Sequence, residues 1–78
     1  MKAKFKKGDR VTVSSECRFA LGGREPSDFH GRSGVVVGVF EYSVRIPDYD
    51  VIIDGDPDNT VDSCPAFSEQ DLYLEASK

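Results

Sequence analysis

The stretch Gly31-Arg32-Ser33-Gly34-Val35-Val36-Val37-Gly38-Val39 decides how this chain folds. A turn glycine stands directly before a β-branched run, and the run predicts a strand from Gly34 to Glu41. Val35, Val37 and Val39 fall on one face of that strand, and Gly34, Val36, Gly38 and Phe40 on the other. Glycines spaced along a strand favour bending and close backbone approach, as a small curled sheet requires. The same arrangement occurs earlier, in Lys7-Gly8-Asp9-Arg10-Val11-Thr12-Val13. There Arg10 to Val13 reads as a first strand, with Val11 and Val13 sharing one face.

Working outward, Phe5 is expected to fold over one end of the core. Ser14 to Gly31 is a long first loop, interrupted by Gly22-Gly23 and Pro26, and Pro26 to Gly31 can form one helical turn closed by Gly31. Tyr42 to Pro47 is a connection or edge segment, because proline cannot donate to a ladder. Asp48 to Asp54 alternates as a third strand, with Tyr49, Val51 and Ile53 inward and Asp50, Ile52 and Asp54 outward. Gly55 to Asn59 has the composition of a turn. Thr60 to Cys64 reads as a short fourth strand stopped at Pro65. Ser68-Glu69-Gln70-Asp71 reads as a capped single turn, and Leu72 and Leu74 close the core from a fifth strand. The expected fold is all-β: a single five-stranded SH3-like barrel with a long first loop and a short helical turn before the last strand. It forms one domain over residues 1–78, of which residues 1–6 are expected to be a basic, flexible arm.

Size and charge narrow the function classes. A chain of 78 residues supports one thin core and no deep cleft between lobes. No apolar run approaches the ~20 residues that cross a bilayer, and no apolar stretch follows the basic amino terminus, so a cytoplasmic protein is expected. The net charge of −4 is unevenly distributed. Residues 1–40 carry eight Lys/Arg against four Asp/Glu, and residues 41–78 carry two against ten. Overall acidity disfavours a general affinity for phosphate backbones, which needs clustered cations. Cys17 and Cys64 belong to no C-x-x-C pair, so two free thiols are expected rather than a zinc or redox site.

Gly8-Asp9-x-Val11-x-Val13 followed by Gly31-x-x-Gly34-x-Val36 resembles the KOW-type SH3-like barrels of ribosomal proteins and NusG-type transcription factors. The runs Ser33 to Val39, Tyr49 to Ile53 and Ala66 to Leu72 also look like the SH3-like accessory subunit of photosystem I, as a likeness of architecture. The first resemblance implies RNA or single-strand binding. Likeness of fold alone transfers no function.

No constellation of residues announces catalysis. Asp54-Gly55-Asp56-Pro57-Asp58-Asn59 imitates the opening of a calcium loop, but Asn59 stands where the sharp-turn glycine belongs and Pro65 where a closing glutamate belongs. His30 has no nucleophile or ligand set assigned to it, and is expected to cap the turn before Gly31. There is no phosphate-binding glycine loop and no nucleophile elbow. No metal or cofactor is expected. With no tryptophan and with dispersed tyrosines, a polyproline groove is not expected either. Arg18, Phe19, Arg24, Phe29, His30 and Arg32 interleave cations and aromatics in or beside the first loop, and Tyr42 lies beyond the second strand. These residues are the expected contact surface of a non-catalytic accessory or adaptor module. Its partner is a protein, with the aromatics as anchors and the arginines orienting an acidic surface. A small bacterial or phage protein fits such a solitary barrel. The alternative is a KOW-like module that stacks unpaired bases on those aromatics.

Overall fold

The computed structural model describes residues 2–18, 26–56, 60 and 64–75. Its elements are β1 (Arg10–Val13), a 3-10 turn (Pro26–Asp28), β2 (Ser33–Phe40), β3 (Asp48–Ile53), β4 (Ala66–Ser68), a second 3-10 turn (Glu69–Asp71) and β5 (Leu72–Leu74). The strands form one five-stranded sheet in the order β4-β3-β2-β1-β5, and every pairing is antiparallel. The first four strands form a meander, and β5 returns beside β1.

That return makes the sheet coil. Laid flat, β4 and β5 would lie about 19 Å apart, four strand spacings. The four peptide steps from Ser68 to Leu72 reach only ~14 Å even when fully extended. The 3-10 turn between them is shorter still, so the two ends of the sheet are drawn toward each other around the core.

Alternation fills that core. Val11 and Val13 from β1, Tyr49, Val51 and Ile53 from β3, Phe67 from β4 and Leu72 from β5 are all buried. Phe5 closes one end, its ring edge-on to Tyr49 at 5.1 Å between centroids. Gly34 sits so close to β3 that a Cβ there would lie 2.3 Å from the Ile52 carbonyl oxygen.

β2 departs from the expected alternation. Its register with β3 shifts between Val36 and Gly38, which leaves Val37 as an extra residue in a β-bulge. Before the bulge Gly34 and Val36 face inward, opposite Ile53 and Val51. After it Val39 stands opposite Tyr49 and packs against the core, while Phe40, opposite Asp48, turns outward. The bulge thus separates Val39 from the face of Val35, and Phe40 from the face of Val36.

A strand not expected from the sequence pairs with β3 after Pro65. Residues 61–63 of the expected Thr60–Cys64 strand lie outside the described residues, and β4 runs beyond Pro65. Its ladder reaches back to the proline, where the Val51 amide donates to the Pro65 carbonyl at 3.1 Å.

The basic arm is fastened down. The Lys4 and Phe5 amides donate to the Tyr49 hydroxyl at 2.9 and 3.1 Å. The Lys4 amide also reaches Glu69 Oε2 at 2.9 Å, and the Ala3 amide donates to Glu41. Side chains of the body thereby satisfy the backbone donors of the arm.

Candidate functional site

Among the described residues, those expected to form the contact surface do not all converge. Phe29 follows the first 3-10 turn and points inward, 1% exposed, with its ring edge-on to Phe67 at 5.4 Å. Its area goes to the core, so this ring anchors no partner. Phe19 and Arg24 lie outside the described residues. Arg32 turns away from the loop and donates to the Asp54 carbonyl at 3.0 Å. Tyr42 lies beyond the opposite end of β2, so a strand of about 25 Å separates it from Arg32.

Arg18 and His30 do meet. They line one shallow depression with Ser15, Glu16 and Cys17, and Arg18 is exposed there. His30 Nε2 bonds the Cys17 carbonyl oxygen at 2.7 Å. The histidine therefore ties the two ends of the first loop together instead of capping the turn before Gly31. Both cysteines are free thiols. Cys17 is buried, and its thiol bonds the Asp71 carboxyl; burial outweighs that bond and pushes the Asp71 carboxyl above the ordinary aspartate range.

At the other end of β2 a second group assembles on the outward side of the sheet. Phe40 is 45% exposed and Val44 90% exposed. Between them in sequence, the Tyr42 ring lies under the Arg45 guanidinium, 3.9 Å from its centroid, a cation–π stack. Asp48 joins the two, accepting from the Tyr42 hydroxyl at 3.2 Å and from Arg45 at 3.4 Å. The next row on the same face is Gly38, Asp50 and Ala66. There the Asp50 carboxylate lies across the glycine, and a Cβ on Gly38 would come 3.0 Å from its Oδ2. Burial raises the Asp50 carboxyl above its ordinary value. Burial, and then the charge of Asp50, push up the neighbouring Cys64 thiol. Sequence reading placed Asp50 on the outward face but left Phe40, Val44, Arg45 and Asp50 out of the site. Of these, Val44 carried a visible sign, an aliphatic residue inside a polar connection.

Around β1 and β5 a set of polar contacts lies beside the exposed Tyr73 and Leu74. Arg10 pairs with Asp54 and reaches Glu75 at 3.4 Å. The bonds to Asp54 and then Glu75 hold its guanidinium proton more firmly than usual. Bonds from Ser33 and then Arg10 lower the Glu75 carboxyl. Thr12 and Ser33 hydroxyls bond across the strands at 2.9 Å. Asp54, the first acid of the calcium-like turn, is engaged by Arg10, and residues 57–59 of that turn lie outside the described residues. Among the described residues no three His, Cys, Asp or Glu side chains converge as metal ligands do, and no helix is long and apolar enough to cross a membrane.

Compared with known proteins, the chain matches no family model, no curated protein and no solved structure. What holds is a small all-β protein with five antiparallel strands and a 3-10 turn before the last.

Proposed function

We propose that the chain is a non-catalytic protein-binding adaptor whose coiled sheet closes as an SH3-like barrel. The short link from β4 to β5 and the strand order β4-β3-β2-β1-β5 support the barrel. The contact face is the hairpin end of β2 and β3, rather than the first loop expected from sequence. One observation carries this reading: Phe40 and Val44 are exposed within the six residues 40–45 that also hold the Tyr42–Arg45 stack. Aromatic and arginine side chains grouped with exposed aliphatics supply binding area of the kind found at interface centres. The test is affinity capture from lysate of the source cells with wild type, Val44→Asp and Phe40→Ala. One partner, identified by mass spectrometry, binds wild type and is lost from Val44→Asp. A partner held equally by all three baits, or none above a blank bait, refutes the reading.

A second reading has one observation of its own. Lys2, Lys4, Lys6 and Lys7 are exposed on an arm whose backbone is fastened to the body, which fixes a row of cations in place. This favours a KOW-like contact with single-stranded nucleic acid. Gel shifts with mixed oligonucleotides decide it. Binding that weakens steeply with salt and with Lys4→Glu supports it, and no shift at low salt removes it.

A further inference from the structure

On the outward face, β2, β3 and β4 leave a trough between the row of Phe40, Asp48 and Ser68 and the row of Val35 and Ile52. Gly38 and Ala66 form its floor, Phe40 one wall and Ile52 the other, with Cys64 alongside Asp50. Gly38 and Ala66 give the floor almost no side-chain volume, and the Asp50 carboxylate lies across it at Gly38. Nearby carboxylates are answered within the molecule. Asp48 is bonded by Tyr42, Arg45 and Ser68, Glu69 by Tyr49 and the Lys4 amide, and Asp54 by Arg10. Asp50 makes no such bond with any described residue, although its partly desolvated position penalises an unpaired charge. A charge that costs stability and bonds none of the described residues is suited to a donor from outside.

We propose that this trough docks a protein segment that lays one basic side chain, arginine or lysine, on Asp50, with aliphatic neighbours on Phe40 and Ile52. This rests on the protein-binding reading above and names the partner's chemistry. Charge complementarity commits the face to such an occupant. The chain carries a net −4, residues 41–78 hold ten acids against two bases, and no described residue answers the carboxylate at the centre. A cation on Asp50 would exchange its unpaired state for a charge-assisted bond in a partly desolvated site, where such bonds are strong.

The probe is a capped nonapeptide alternating leucine and arginine, titrated into the 15N-labelled full chain, with counterparts carrying citrulline or glutamate for arginine. The arginine peptide is expected to move the amide signals of Gly38, Asp50 and Ala66 saturably, while the other two leave them in place. Asp50→Asn should weaken that binding at least ten-fold with the spectrum otherwise retained. Equal binding of the citrulline peptide, shifts confined to other surfaces, or undiminished binding by Asp50→Asn overturns the proposal. Affinity capture separates the two levels. If Asp50→Asn still holds the partner that Val44→Asp loses, the basic seat is wrong and the adaptor reading stands. If wild type captures no partner, the adaptor reading itself falls.

Discussion

The Tyr49 hydroxyl donates to Glu69 at 2.6 Å while accepting from the amides of Lys4 and Phe5. One phenol oxygen thus joins β3, the second 3-10 turn and the amino-terminal arm.

Tyr49→Phe removes that junction and leaves the ring. The Phe5 amide loses its partner and Glu69 loses a donor, a loss of about 1–3 kcal/mol for a buried polar group left unsatisfied. Chemical denaturation should read the loss, and hydrogen exchange should find the Lys4 and Phe5 amides opening faster than those of β3. Unchanged exchange at both amides would mean the arm is held by other contacts.

Alkaline pH should act on the same hydroxyl. Burial first, and then the bond to Glu69, push the Tyr49 phenol above its ordinary value. The folded chain therefore keeps this proton after the unfolded chain begins to lose its own, near pH 10. The contribution is complete below that pH and declines as the pH rises through the folded value. Urea midpoints at about pH 8 and about pH 10.5 should fall more for wild type than for Tyr49→Phe.

Gly34→Ala should disable pairing of β2 with β3. The new methyl would meet the Ile52 oxygen at 2.3 Å and Val51 Cγ1 at 2.8 Å, and the backbone oxygen cannot step aside without breaking the ladder. A loss of ~3 kcal/mol or failure to fold is expected. Gly8→Ala is the contrast: its φ is +93° but no atom lies within 4 Å, so the cost is the left-handed backbone alone, about 1 kcal/mol.

Phe29→Ala should destabilise by ~3–5 kcal/mol, because it empties a fully buried site against Phe67. Thermal melting reads this directly. A change of less than ~1 kcal/mol would mean that the ring is not part of the core.

Asp50→Asn should raise the melting temperature at about pH 7 and leave it unchanged at about pH 3. The folded carboxyl is raised above its unfolded value, so its contribution is present at low pH and lost as the group ionises. Removing the charge removes that loss.

Much of the sheet was legible from local pattern. β3 alternates without interruption, and Tyr49, Val51 and Ile53 are inward as that pattern requires. Phe5 closes the core, as its position before the Gly8 turn suggested. β2 was read with its phase inverted beyond Val36, because three consecutive valines conceal which one a bulge sets aside. β4 was missed because three residues with one buried phenylalanine make no period. The site was hidden for a different reason. Nothing in the chain's order places Gly38 and Ala66 on either side of Asp50; only strand register does. Nor does a loop phenylalanine between Asp28 and His30 reveal whether it faces water or Phe67.

Beside the buried Phe5 ring, the arm is held at Lys4 through its peptide N–H, and the Lys4 ammonium takes no part in the bonds to Tyr49 and Glu69. Such a clasp is blind to the spelling of Lys2 and Lys4, so evolution can recolour this edge of the molecule without unfastening it. Proline is the one letter barred at Lys4, since it alone lacks the hydrogen that the clasp grips.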